Sequence, residues 1–145
     1  MGKTKRGKGT KVMAIADAHG FPVALCTESA EPHEIRLVSE TIEQKFTVGT
    51  PELLIGDKAY DSDGLDAYLL EHYNIKLIAP HKANRKKKST QDGRQLRRYR
   101  SRWKVERLFS WFNHFRRTLI RWEYYHINFM AFLLLACIVI LIRHL

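Results

Sequence analysis

The sequence predicts a mixed α/β fold in which helices cover the faces of a sheet. Two β-type runs around a turn at residues 18–22 predict an antiparallel hairpin. Two stretches with apolar residues at helical spacing follow, one starting near Pro32 and one near Ser62. Short apolar runs at residues 53–55 and 75–79 alternate with these helices and predict strands. The order hairpin, helix, strand, helix, strand is typical of a sheet with helices packed on it.

The chain begins with a basic lead, residues 1–10, which contains glycine and shows no periodicity. We expect this lead to be a loop. Residues 11–17 and 23–27 are the two strands of the hairpin, and Asp17 is expected to belong to its turn.

The first helix is expected to begin at Pro32, because proline is well tolerated in the first helical turn. Its apolar positions recur at intervals of three and four residues and are Ile35, Val38, Ile42 and Phe46. The second helix can be capped by Ser62 or Asp63 and runs to about Tyr73. Its inward side chains are expected to be Leu65, Tyr68 and Leu69. Asp61 is interpreted, like Asp63, as a helix cap.

The C-terminal half starts with a polar and basic stretch, residues 82–95, that is expected to be a loop. Residues 96–120 predict one long helix. Polar side chains spaced three, four and seven residues apart fall on one face of such a helix. They are Tyr99, Arg102, Glu106 and Asn113.

Residues 127–142 are almost entirely apolar. This run is shorter than the roughly 18–20 residues that a membrane-spanning helix needs, so it is interpreted as a buried helix. Arg121 and Arg143 flank the run, which keeps a small membrane protein as a third interpretation.

The chain has 145 residues, of which 45% are apolar, and this is enough for one domain with a substantial core. Its formal charge of +10 makes a polyanion the first partner to consider. The cations are concentrated in residues 82–121, where only Asp92 and Glu106 oppose them. A solvated face is the simpler interpretation of a charged run, but so large an excess is hard to explain by solubility alone. The cations of this run are Lys82, Arg85, Lys86, Lys87, Lys88, Arg94, Arg97, Arg98, Arg100, Arg102, Lys104, Arg107, Arg116, Arg117 and Arg121.

Cysteines and histidines give no sign of a metal framework. Cys26 and Cys137 both lie in apolar runs and are expected to be core residues in a reducing compartment. The seven histidines show no metal-ligand spacing, and none is assigned to a site. The basic N-terminus is not followed by the apolar segment of a signal peptide.

Two carboxylates are well placed for chemistry: Asp57, just after the strand at residues 53–55, and Glu106 in the basic helix. Taken singly, such an Asp is more often a turn or cap residue, and such a Glu is more often an ion-pair partner. Phosphodiester chemistry commonly uses two divalent cations about 4 Å apart, and hard cations such as Mg²⁺ prefer carboxylate oxygens. Two carboxylates hold two such ions poorly, so a third is normally expected.

Two segments resemble the motifs of bacterial insertion-sequence transposases of the DDE type, in the group related to IS-four and IS-five. Residues 54–61, LIGDKAYD, match the second-aspartate signature of that family. Tyr99, Arg102 and Glu106 match its later triplet in residue type and spacing. The resemblance extends over nearly the whole chain, from about residue 7 to residue 145.

The resemblance implies a ribonuclease-H-like mixed sheet flanked by helices, forming a single catalytic domain over residues 1–145. Asp57 and Glu106 would be the catalytic carboxylates and would bind Mg²⁺ or Mn²⁺. The reaction would be metal-assisted cleavage at the ends of a DNA element, followed by attack of the freed 3′-hydroxyl on target DNA. DNA would be contacted by Tyr99, Arg102, Arg98, Lys104, Arg116 and Arg117.

The sequence departs from the family pattern at two places. The family usually has a lysine seven residues after the glutamate, and Asn113 stands there in this chain. The family's first catalytic aspartate lies on a first strand that precedes the basic Gly-Lys segment, and this chain starts inside that segment. We therefore expect that the domain is N-terminally incomplete and that its first strand and first carboxylate come from an upstream reading frame or were lost by truncation.

The expected partners are transposon-end and target DNA, together with a second copy of the chain or an upstream-frame product. The expected location is the bacterial cytoplasm, in association with the nucleoid and not with a membrane. The alternative function is a nonenzymatic, DNA-binding remnant of a truncated transposase.

Overall fold

The computed structural model describes residues 2–4, 7–86, 88–90 and 93–144. The strands are β1 (Gly2–Thr4), β2 (Gly7–Ala16), β3 (Pro22–Ser29), β4 (Leu53–Ile55) and β5 (Lys76–Ile78). The α-helices are α1 (Glu34–Glu43), α2 (Asp63–Tyr73), α3 (Gly93–Leu96), α4 (Trp103–Phe112), α5 (Arg116–Leu119) and α6 (His126–Ile142). Short 3-10 helices cover Lys58–Tyr60 and Arg97–Arg102. The predicted mixed α/β class is confirmed.

The chain divides into two compact units. The first unit contains Met1–Thr47 and Lys104–Leu145, and the second unit contains Val48–Trp103. In the first unit β1, β2 and β3 form an antiparallel sheet, and in the second unit β4 and β5 pair in parallel. A single catalytic domain over residues 1–145 stays a prediction.

The N-terminal strands correct the prediction that residues 1–10 are a loop. Gly2–Thr4 pairs with Gly7–Lys8–Gly9 in an antiparallel ladder, and β2 continues without interruption to Ala16. A strand that is held by main-chain pairing needs no apolar alternation, so the apolar pattern gave no signal for it. From Thr10 to Ala16, β2 pairs with β3 and forms the predicted hairpin.

The turn of this hairpin depends on Asp17 and Gly20. The Asp17 carboxylate accepts hydrogen bonds from the backbone N–H groups of His19 and Phe21, at 2.8 and 2.9 Å. This confirms the prediction that Asp17 belongs to the turn, because its oxygen is used to close it. Gly20 has φ +87°, a left-handed conformation that favours glycine.

The core of the first unit lies between α6, α4 and the hairpin. Its buried residues are Leu25, Leu108, Phe112, Phe129, Leu133, Ala136, Cys137 and Ile140. Helix α6 contributes five of them, so it is buried on one side only, whereas the sequence predicted a buried helix; Leu135 and Ile138 on its other side are more than half exposed. Within the described residues, none of the helices is both long and apolar enough to cross a membrane.

Helix α1 is shorter than the predicted helix, which reached Phe46. It begins after His33 and ends at Glu43, and the chain then returns to the sheet, where Lys45 bridges Ala24. The backbone N–H of Phe46 therefore donates a hydrogen bond to the carbonyl of Val23, while the Phe46 side chain is 44% exposed.

The second unit is built on the β4–β5 pair and on α2. Ser62 caps α2 by accepting from the N–H of Leu65, which confirms one of the two predicted caps. Leu65 and Leu69 are buried as predicted, but Tyr68 is 39% exposed. The ring of Tyr68 stacks on His72 instead, with ring centroids 4.2 Å apart.

The predicted helix over residues 96–120 is broken into shorter pieces. A 3-10 helix runs from Arg97 to Arg102, α4 follows, and α5 begins only at Arg116. Glu106 therefore lies in α4, whereas Asn113 follows the end of that helix.

Candidate functional site

The loop that carries Asp57 is a compact turn directly after β4. Gly56 extends the strand pairing, since its N–H donates to the carbonyl of Ile78 at 2.9 Å. The chain then forms the 3-10 helix Lys58–Tyr60, which folds the Tyr60 ring back over Gly56. A Cβ atom at position 56 would lie 3.1 Å from Tyr60 Cδ2, so a larger residue would require the Tyr60 ring to shift by a few tenths of an ångström.

Asp57 occupies the position before this short helix, but its side chain does not cap the helix. Its Oδ2 accepts a hydrogen bond from Arg102 Nη1 at 2.9 Å. The two side chains are 42% and 34% exposed, so the pair contributes only about 0–1 kcal/mol to stability. The contact matters because it brings together two motif segments that lie 45 residues apart in the sequence.

Tyr99 lies beside Arg102 because of the 3-10 geometry. A 3-10 helix has three residues per turn, so side chains at i and i+3 lie above one another. The guanidinium carbon of Arg102 is 5.5 Å from the centroid of the Tyr99 ring, a cation–π distance. The second unit therefore brings Tyr99, Arg102 and Asp57 together, while Arg98 is exposed on the same 3-10 helix.

Glu106 lies in the first turn of α4 and is exposed to solvent. It belongs to the first unit, whereas Asp57 belongs to the second. Its assignment as the partner carboxylate of Asp57 stays a prediction. Among the described residues, no group of three or more His, Cys, Asp or Glu side chains is arranged to hold a metal ion.

The other predicted DNA-binding cations differ in their surroundings. The ammonium group of Lys104 donates a hydrogen bond to the carbonyl of Ala18. Arg117 pairs with Glu123 at 3.1 Å and lies 5.4 Å from the centroid of Phe132. Arg116 is exposed at the start of α5. Contact of any of these side chains with DNA stays a prediction.

A buried hydrogen-bond cluster around Asp61 was not assigned to a site from the sequence. The Asp61 side chain is 5% exposed, and its Oδ1 accepts from His81 Nδ1 and from Arg85 Nη1, both at 2.8 Å. Its Oδ2 accepts from the backbone N–H of Lys82 at 2.8 Å. Arg85 also reaches Asp63, with 2.5 Å between Nη2 and Oδ1, so one guanidinium bridges two carboxylates. The cluster borders an open depression of about 450 Å³.

The cluster corrects the interpretation of Asp61 and Asp63 as caps of the second helix. Ser62 is the cap, and both aspartates use their carboxylates on Arg85. His81 was also left without a role. The tautomer of His81 follows from its contacts, since its Nε2 accepts from the N–H of Thr90 at 3.2 Å. Nδ1 therefore carries the proton that is donated to Asp61.

Two neighbouring aspartates have opposite pKa shifts. Burial acts to raise the pKa of Asp61, but the hydrogen bonds from Lys82 and His81 and the charge of Arg85 together lower it below its ordinary value of 3.8. The pKa of Asp66, on the first turns of α2, is raised by burial and by the charges of Asp63 and Asp61. Ionisation of the Asp61 carboxyl group thus stabilises the folded protein, whereas ionisation of the Asp66 carboxyl group destabilises it.

We expect Asp61→Asn to lower the free energy of unfolding by about 1–3 kcal/mol at pH 6, because hydrogen bonds from three donors to one ionised group are disturbed. Asp66→Asn, the matched control on the following helix α2, is expected to raise the free energy of unfolding. The contribution of Asp61 is complete above pH 3.8 and is lost as the pH falls through its lowered pKa. Urea unfolding between pH 2 and pH 6 measures both effects. If both variants change the free energy of unfolding in the same direction, the opposite roles of the two carboxylates are contradicted.

The cysteines lie in the core, as predicted. Cys26 and Cys137 are free thiols and are both buried. Burial raises the pKa of the Cys137 thiol to about 12, and burial together with Glu40 and Glu28 raises that of Cys26. Neither thiol is therefore a reactive nucleophile at neutral pH.

The Asp57–Arg102 pair is a half-exposed ion pair, and its arginine comes from the cation-rich run of residues 82–121. Comparison with known proteins is more specific, since the transposase DDE domain family matches residues 1–141. The chain therefore belongs to the transposase DDE domain family.

Two curated relatives are transposases of bacterial insertion sequences. A transposase for insertion sequence element IS402 from Burkholderia cepacia is 29% identical over 140 residues, which cover 91% of this chain and 62% of the relative. A transposase for insertion sequence element IS6501 from Brucella ovis is 31% identical over 134 residues, which cover 92% of this chain and 98% of the relative. The chain thus spans less than two thirds of the Burkholderia relative. No solved structure was found to match the chain.

Proposed function

We propose that this chain acts in DNA transposition, as the part of a DDE transposase that cleaves DNA and transfers strands at the ends of an insertion sequence. The observation that carries the proposal is the hydrogen bond from Arg102 to Asp57. Asp57 lies in the motif around residues 54–61 and Arg102 in the triplet that begins at Tyr99, so one contact joins the two segments that resemble the motifs of the family.

We propose further that the fold is ribonuclease-H-like. Membership of the DDE family supports this, together with the parallel pairing of β4 and β5 and the position of Asp57 two residues after β4. In α/β sheets of this kind, ligands bind beyond the carboxyl ends of the strands.

Asp57 and Glu106 are proposed as the ligands of divalent cations, Mg²⁺ or Mn²⁺. Carboxylate oxygens are the donors that these hard cations prefer, and the side chains of both residues reach solvent. When bound, such cations activate the attacking oxygen and stabilise the leaving oxygen of a phosphodiester. Because two carboxylates are few for two cations, we propose that a third ligand completes the site, supplied by an upstream-frame product or by a second copy of the chain.

Arg102 is proposed to orient Asp57 and to contact a DNA phosphate. Its guanidinium offers several N–H donors in a planar fork, and one of them is used on Asp57. The side chain is about one-third exposed, so a DNA phosphate can approach the guanidinium from solvent. Tyr99 supports the same guanidinium through its ring. Further phosphate contacts are proposed for Arg98, Lys104, Arg116 and Arg117.

DNA binding and cleavage are tested separately. We expect the chain to bind a 30-base-pair duplex with an affinity that falls steeply with salt, because each neutralised phosphate adds roughly 0.9 to the salt slope. Fluorescence anisotropy between 50 and 300 mM NaCl measures this slope. Absence of binding at 50 mM NaCl would contradict the proposal.

Cleavage is measured with duplexes that carry the element ends flanking the gene, with Mg²⁺, Mn²⁺ or EDTA. The assay uses the chain itself and the chain extended by the coding sequence upstream of Met1. Metal-dependent nicking in either form supports the transposase proposal. Salt-sensitive binding without cleavage in both forms supports instead a nonenzymatic DNA-binding protein, which the basic run at residues 82–121 already favours as the second candidate.

A further inference from the structure

The segment that carries Asp57 is attached at its start to the last residue of β5 and at its end to the chain that follows β5. At its start, the N–H of Gly56 donates to Ile78. At its end, the Asp61 carboxylate binds the side chain of His81 and the backbone N–H of Lys82. Asp61 therefore determines where the far end of the Asp57 loop lies.

The same carboxylate organises a cation-rich stretch that we call the basic segment, residues 82–90, described at positions 82–86 and 88–90. Lys82 begins the segment and binds Asp61 through its N–H. Arg85 binds Asp61 through its guanidinium. Thr90 ends the segment and donates to His81, which donates to Asp61 in turn. The start and the middle of the segment thus bind the Asp61 carboxylate directly, and its end is connected to that carboxylate through His81.

We propose that Asp61 is a positioning residue that joins the Asp57 loop to the basic segment, so that the lysines of this segment are held as a phosphate-binding surface beside the proposed catalytic carboxylate. The lysines are Lys82, Lys86 and Lys88, of which Lys86 and Lys88 are exposed. This inference rests on the proposed function, because it takes DNA as the ligand.

The sign of the effect on DNA binding distinguishes positioning from simple electrostatics. A negative charge beside a phosphate-binding surface repels DNA, so its removal alone strengthens binding. Asparagine at position 61 has nearly the same shape as aspartate, but its amide group is a donor. All three partners of Asp61 are donors, so the amide oxygen can accept from the partners on one side, but the NH₂ group cannot accept from those on the other side. Positioning therefore predicts weaker binding after a change that removes a repulsive charge.

The test compares Asp61→Asn with Asp66→Asn in the full chain, by anisotropy with a 30-base-pair duplex of random sequence. We expect Asp61→Asn to bind about 5- to 10-fold more weakly at 100 mM NaCl and to lower the salt slope by about 1 to 2, as phosphate contacts are lost. Asp66→Asn removes the same charge from the following helix, α2, and is expected to bind as tightly as the unchanged chain or more tightly. A purely structural defect lowers the fraction of active protein and leaves the salt slope unchanged.

Arg85→Lys is the second variant, and it decides the question if Asp61→Asn does not fold. It keeps the positive charge, but a lysine ammonium cannot reproduce the fork that bridges Asp61 and Asp63. We expect binding about 3- to 10-fold weaker with a lower salt slope, whereas Arg36→Lys on the exposed side of α1 binds as the unchanged chain does.

The outcomes separate this inference from the proposed function. If the unchanged chain does not bind DNA at 50 mM NaCl, the proposed function fails. If the unchanged chain binds with a steep salt slope, and Asp61→Asn and Arg85→Lys keep that slope and affinity, the positioning role of Asp61 is overturned while the proposed function stands.

Discussion

Asp57→Asn is expected to lower metal-dependent DNA cleavage by about a thousandfold while DNA affinity stays the same or rises. Asparagine keeps an oxygen that can accept from Arg102, so the loop and the contact between the two motifs are retained. It loses the negative charge that a divalent cation requires of its ligand. A thousandfold loss corresponds to about 4 kcal/mol of transition-state stabilisation, which is within the range for a metal ligand. Single-turnover cleavage of element-end duplexes measures the rate, and anisotropy measures the affinity.

Glu106→Gln is expected to have the same pair of effects, because both carboxylates are proposed to bind the same kind of cation. Glu52→Gln is the matched control: Glu52 is exposed just before β4, and its loss is expected to leave cleavage unchanged. If Asp57→Asn or Glu106→Gln cleaves at the rate of the unchanged chain, that residue is not a metal ligand. If either variant loses DNA binding in parallel with cleavage, its carboxylate serves the fold and not the chemistry.

The parts of the fold that were predicted correctly are those with a strong local signal. The short apolar run at residues 53–55 is a strand, and Ser62 caps the helix that follows it. Helix α6 matches its apolar run within one residue at its start. Buried apolar side chains and a helix cap act over a few neighbouring residues, so their pattern is visible in the sequence.

The parts that were missed depend on contacts between distant segments. Tyr99 and Arg102 were expected on an α-helix, but a spacing of three suits a 3-10 helix equally well, and spacing alone does not distinguish the two. Asp61 was interpreted as a cap because it lies one residue before Ser62. Its partners His81 and Arg85 lie 20 and 24 residues further along the chain, where no local pattern points to them.

A family motif carried information that the local patterns did not. The signature around residues 54–61 ends on Asp61, and the structure provides a physical reason for three of its residues. Gly56 makes room for the Tyr60 ring, and Asp57 is directed to Arg102. Asp61 ties the loop to the chain after β5. A motif residue with no evident catalytic role is therefore a useful signal for a positioning residue.

Leu133→Ala is expected to lower the free energy of unfolding by about 2–5 kcal/mol, the largest effect on stability that we predict. Leu133 is 1% exposed in the core of the first unit, and removal of its side chain leaves a cavity in the cluster that also contains Leu108 and Phe112. Leu135→Ala, two residues along the same helix, is the matched control. Leu135 is 55% exposed, so its truncation is expected to change stability by less than about 0.5 kcal/mol.

The contrast between these two leucines tests whether α6 is packed on one side against a protein core. A helix surrounded by lipid would lose apolar contacts at both positions, whereas a helix packed on one side against a protein core loses them mainly at Leu133. Urea unfolding followed by circular dichroism gives both free energies for the protein purified without detergent. Equal losses at the two positions would contradict the assignment of Leu133 to a one-sided core.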